Sequence, residues 1–142
     1  MMYFTLKKYC DIPQDKIYAA SIDVKNFSNI MPKYFESISI VDSTGNEIIA
    51  DEMIRFLGRT LTVKTKHVIN PPNIHEVHII SGMTCGSSFI ERYDKTSHGT
   101  TVTIRVSINF NGISRIFSPF GFIIKRKMNH VMDEFLYSVE NR

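Results

Sequence analysis

From Tyr34 to Phe110 the chain alternates apolar and polar residues in one short run after another, and a single long amphipathic stretch follows. That imbalance most constrains the fold. Side chains alternate faces along a strand, so period-two runs joined by short turns predict an antiparallel sheet. Residues 60–69 are the cleanest case. Leu61, Val63, Thr65, His67 and Ile69 share one face, with Thr62, Lys64 and Lys66 on the other. Strands are also expected at 2–10, 35–41, 47–57, 74–83, 87–94 and 102–110. Asp42–Asn46, Gly58-Arg59, Asn70-Pro71-Pro72-Asn73 and Asp94–Gly99 serve as turns. One helix is too narrow to cover about seven strands laid flat. The sheet is therefore expected to curl around it, in an α+β architecture that can leave a space between the two.

That helix is expected from a stripe at 3.6-residue spacing: Phe117, Phe120, Ile124, Met128, Val131, Phe135 and Val139. Ser118-Pro119 is a competing start for it. Between the first two strands, Pro13 suits a helix start ahead of Ile17, Tyr18, Ser21 and Ile22. Asp23 is placed to cap a second short helix through Phe27, Ile30 and Met31, which Pro32 ends.

The chain has 142 residues, enough for one core, and nothing divides it, so 1–142 is read as a single domain. A net charge of +3 is too small to argue for nucleic acid, and no specific DNA contact is expected. Two cysteines, Cys10 and Cys85, give no C-x-x-C motif and no disulfide scaffold. The first ten residues do not read as a signal peptide and no run reaches 18 apolar residues, so a cytoplasmic protein is expected.

Ile12-Pro13, Ile17-Tyr18, Asp23, Phe27 and Met31-Pro32 follow the first strand, and further along come Phe35–Val41, Asn70–Ile74, Gly82, Gly99–Thr103 and the closing helix. In this order and spacing they resemble the START / birch-pollen-allergen superfamily, the helix-grip fold also called SRPBCC. Within it, the chain most resembles the polyketide cyclase/dehydrase and coenzyme-Q-binding-protein branch. Strands of that branch often carry a Trp within Ser87–Tyr93. This chain has none, and Phe89 takes that place. The resemblance implies a lipophilic ligand, such as a lipid, an isoprenoid quinone or a polyketide-like compound, held in an internal cavity. No shared catalytic motif comes with it, and no cofactor is expected.

In such a fold the expected lining comes from Phe27 and Met31 below, and from Phe56, Val63, Ile79, Phe89 and Ile104 on the sheet. Phe117, Phe120, Ile124 and Met128 line it from the helix, and Thr65, His67 or Tyr93 orient the ligand. His67 stands where an apolar residue is the default. It reads as a core histidine satisfied by its neighbours, as a ligand anchor or as a general base. Glu91 shares a phase with Phe89 and Tyr93. If it faces inward, it or Tyr93 pairs with His67 as acid and base for a cyclisation or dehydration. The rarity of buried glutamates favours the opposite phase, and Glu52 poses the same question. His75 and His78 are three apart, on opposite faces of a strand, so they do not share a metal ion. Glu76 and His78 are expected in an outer row beside Lys64 and Lys66. Cys85 lacks a local base, and the glycines form no phosphate-binding loop. Residues 113–127 join an apolar stretch to Lys125-Arg126-Lys127. They are a candidate peripheral contact for a membrane surface, a protein or a ribosome.

Overall fold

The computed structural model describes residues 1–110 and 121–142. The elements run β1 (Met2–Cys10), α1 (Gln14–Ile22), a 3-10 turn (Val24–Asn26), α2 (Phe27–Ile30), β2 (Phe35–Thr44), β3 (Glu47–Phe56), β4 (Arg59–Asn70), β5 (Ile74–Gly82), β6 (Ser88–Lys95), β7 (Thr100–Ile108) and α3 (Gly121–Glu140). All seven strands join one antiparallel sheet in the order β1-β7-β6-β5-β4-β3-β2. Consecutive strands from β2 to β7 are hairpin neighbours, and β1 closes the far side against β7 from Met2↔Ile108 to Cys10↔Thr100.

Local chemistry explains most boundaries. The β3–β4 hairpin turns on Leu57 and Gly58, at φ 50° and 76°. Two consecutive left-handed residues give the twist that a two-residue hairpin needs. β2 runs three residues beyond the expected 41, because Gly45, at φ 59°, makes the turn and leaves Asp42–Thr44 free to pair with Ile49–Glu47. Its pairing with β3 slips at Phe35/Ser37 and Ile40/Asp42, and a further irregularity lies between Lys64 and Thr65 on the β4–β5 pair. Such bulges bend and twist a sheet, which suits one wrapped about a helix.

Asp23 departs from its expected role. No side-chain cap bond forms at the 3-10 turn, and its carboxylate accepts instead from the Asn26 side chain at 3.1 Å. The α3 stripe is also corrected in detail. Ile124, Met132, Leu136 and Val139 are its buried residues, while Met128, Val131 and Phe135 are half-buried. The buried row is spaced by eight, then four, then three, all intervals that return to one helix face. Phe117, Phe120 and the Ser118-Pro119 start lie outside the described residues.

The inner face of the sheet forms the core with α1 and α3. Leu6, Tyr93 and Val102 pack with Ile17, Met132 and Val139. A second cluster joins Val106, Ile108 and Ile124, with Phe56, Phe89 and Met128 against it. No helix among the described residues is long and apolar enough to cross a membrane.

Candidate functional site

The apolar inner face is interrupted by one row of polar side chains, which crosses four neighbouring strands. β3 supplies Glu52, β4 supplies Thr65 and His67, β5 supplies His75, and β6 supplies Glu91 and Tyr93. Each has the inward phase of its strand: Ala50 accompanies Glu52, Val63 accompanies Thr65 and His67, and Ile79 accompanies His75. Glu52, Thr65, His67, His75 and Tyr93 are buried, between 0% and 3% exposed. The Glu91 side chain, at 18%, is the accessible member.

The side chains are joined end to end. Glu52 Oε2 lies 2.9 Å from His67 Nε2, and Thr65 Oγ1 bonds to the same carboxylate oxygen while standing 3.0 Å from the same ring nitrogen. His67 Nδ1 meets His75 Nε2 at 2.9 Å, with the rings 5.2 Å apart and 20° from coplanar. His75 Nδ1 then reaches Glu91 Oε1 at 3.0 Å, and the Tyr93 hydroxyl donates to that oxygen at 2.7 Å. Strand register makes this possible. His75 faces Glu91 directly, whereas His67 faces Val77 and so meets His75 on the diagonal, within reach of long side chains. From β3 to β6 the row spans three strand spacings, roughly 14 Å.

Burial pushes the Tyr93 phenol well above its ordinary value, and the neighbouring Glu91 charge adds to the effect. Tyr93 therefore stays a neutral donor. Its ring meets Tyr18 edge-on at 5.8 Å, its carbonyl accepts from Gln14 Nε2 at 2.7 Å, and the Tyr18 hydroxyl donates to Ile74 O at 2.7 Å. α1 is thus fastened to the β5–β6 end of the row. Among the described residues no set of three or more His, Cys, Asp or Glu side chains is arranged to hold a metal ion, because these four groups lie in line rather than around a point.

The inward reading of His67 is met, and Thr65 stands beside it. Glu91 corrects the exposed phase that the rarity of buried glutamates favours, because His75 and Tyr93 both satisfy its carboxylate. A direct His67–Glu91 pair does not form; each carboxylate has its own histidine. His75 is the residue that sequence reasoning missed. Its period-two phase with Val77 and Ile79 is the sequence signal that places it inward. Glu76 and His78 do form an outer pair at 2.9 Å, with His78 opposite Lys66.

Of the expected apolar lining, Met31, Val63, Ile79 and Ile124 are buried, and Phe27, Phe56, Phe89, Ile104 and Met128 are half-buried. Phe27 stacks on Phe35 at 5.3 Å and meets Phe135 of α3 edge-on at 6.3 Å. Along 121–127, Phe122 is 69% exposed, Lys125 and Arg126 are exposed, and the Lys127 ammonium lies 5.3 Å from the centre of the Tyr34 ring. A surface hollow of about 480 Å³ over β1, β6 and β7, lined by Tyr3, Thr5, Ile90, Arg105 and Ser107 among others, is not lined by any member of the polar row.

No protein-family model matches the chain, and no curated protein matches it by sequence. Solved structures do. The Zhui aromatase/cyclase of a Streptomyces species superposes with a TM-score of 0.81 at 12% identity, over 99% of this chain and 94% of the other. A START superfamily protein from Mycobacterium smegmatis gives 0.76 at 10% identity, over 98% and 97%. Ara h 8.0201 gives 0.77 at 17% identity, over 99% of both chains. The likeness is one of fold: the chain shares the helix-grip arrangement of these structures, a curved antiparallel sheet around a long C-terminal helix.

Proposed function

We propose that this protein binds a lipophilic small molecule between its curved sheet and α3, as a carrier or sensor. A lipid, an isoprenoid quinone or a polyketide-like compound fits the apolar surroundings. The observation that carries the reading is the polar row set into an apolar inner face. A buried chain of hydrogen-bonding groups is costly to build without use, and it is the kind of feature that orients an otherwise greasy ligand. Apolar burial against residues such as Phe56, Phe89, Ile104 and Met128 supplies affinity, and the row supplies orientation.

A second reading is favoured by the two histidine–carboxylate contacts at 2.9 and 3.0 Å. It is proton transfer on the bound molecule, of the cyclase or dehydrase kind, with the His67 and His75 rings, Glu91 and Tyr93 as acid and base. The aromatase/cyclase among the similar structures supports that class of chemistry. For loading, exposed Phe122 beside Lys125 and Arg126 supports a transient contact with a lipid surface, as a cytoplasmic carrier would need.

Native mass spectrometry of the purified protein, followed by organic extraction, tests the binding reading. A reproducible bound lipophile, lost in His67→Ala, is the expected result. Clean protein that also takes up no lipophilic probe would sink it. Conversion of the extracted compound by wild type, and not by His75→Gln, would establish the second reading.

A further inference from the structure

The polar row also bears on the head group of the ligand, and this step rests on the lipophile-binding reading above. Three contacts link the two carboxylates and two imidazoles: Glu52 to His67, His67 to His75, and His75 to Glu91. Each needs one hydrogen. Two neutral rings bring two. The Tyr93 hydrogen is committed to Glu91, and the Thr65 hydrogen serves either Glu52 or His67 without filling the space between them. With only two ring hydrogens, one contact would set lone pair against lone pair in a buried site, where such a mismatch is most costly. A third shared proton resolves it, and two carboxylates with one extra proton leave the row at a net charge of −1.

The row opens at one end. Glu52, His67 and His75 are sealed, and Glu91 is the accessible member. Its Oε1 takes both His75 and Tyr93, while its Oε2 has no partner among the described residues. The one lysine on the inner phase of β1, Lys8, is engaged with Asp133 at 3.1 Å. We propose that the ligand's polar head donates a hydrogen bond to Glu91 Oε2, as an amine or a hydroxyl, and that carboxylate-headed lipophiles are rejected. A carboxylate would bring only acceptors, and a second negative charge, to a site that itself offers an acceptor at low dielectric.

Matched twelve-carbon probes test this at pH 7.5, below their micellar concentrations, by displacement of the neutral dye Nile red. Dodecylammonium and dodecanoate share a chain and differ in head. The protein's overall +3 charge favours dodecanoate, so a preference for the amine must come from the site. The expected result is at least tenfold tighter binding of dodecylammonium, shrinking to under threefold in Glu91→Gln, whose amide adds donors and removes the charge. Equal or tighter binding of dodecanoate to wild type overturns the proposal. So does an unchanged preference in a Glu91→Gln protein whose circular dichroism and melting match wild type. If the variant fails to fold, the wild-type comparison still decides. A folded protein that takes up neither Nile red nor either probe overturns the lipophile reading itself, a result distinct from binding with the wrong preference.

Discussion

Glu52 and His67 illustrate how a buried ionisable pair depends on both members. His67→Leu strands Glu52 away from water and also removes the partner of His75 Nε2. It should lower unfolding free energy by about 3 kcal/mol or more. Glu52→Leu combined with His67→Leu removes the stranded charge, so the double variant should be more stable than the sum of the singles implies, by about 1.5 kcal/mol. Urea unfolding of the four proteins measures this, and strict additivity would mean that the two side chains do not interact. Tyr93 gives a pH signature. Its folded-state value is raised, first by burial and then by Glu91. Its contribution is therefore complete below the unfolded tyrosine value of about 10 and is lost as pH climbs through the folded value. Wild type should lose stability steadily above about pH 10. Tyr93→Phe should begin about 1 kcal/mol lower at neutral pH, for the lost hydrogen bond, yet fall less steeply in alkali. Tyr18 and Tyr34, raised in the same direction by burial, leave a residual slope. An identical alkaline slope in both proteins would contradict this account.

The backbone that hands β1 over to α1 is closely approached by the loop entering β7. A side chain at Gly99 would place its first carbon 2.0 Å from Cys10 O and 2.9 Å from Asp11 Cα, and neighbouring Thr100 donates its hydroxyl to Ile12 O at 2.7 Å. The loop entering β7 thus rests directly on the backbone leaving β1. Gly99→Ala should cost about 3 kcal/mol, at the upper end for single substitutions. Gly45→Ala, with nothing within 4 Å, should cost only the roughly 1 kcal/mol of its left-handed backbone. Chemical denaturation of both variants separates close approach from backbone strain, and equal losses would refute the distinction. At this scale the sequence was highly legible. Alternation along 60–69 and the Pro71-Pro72 break placed β4 and its turn to within a residue, because half-buried strands print their burial on the sequence. The helix stripe is legible at Ile124 and Val139, which are buried, but not between them. Val131 and Met132 are adjacent apolar residues, and only packing against the sheet decides which is buried.

Over the whole molecule, β1 and β2 are neighbours in sequence and opposite edges in space, and the intervening helices carry the chain from one edge to the other. Hairpin logic recovers five of the six pairings; the β1–β7 pairing is a long-range choice that local pattern does not encode. The polar row was hidden for a related reason. His67 is conspicuous on its own strand and the inward phases of Glu52 and Glu91 are open questions on theirs, but only register brings in His75 and shows which carboxylate meets which histidine. That dependence also runs in the opposite direction. A slip of one residue turns a strand over, and here it would point a histidine or glutamate at solvent while leaving its former partners sealed without one. Apolar residues tolerate many near-neighbours, whereas this row accepts only one alignment of β3, β4, β5 and β6. The groups proposed to orient a ligand therefore also select the register of the sheet, because a misaligned strand leaves buried polar partners unpaired.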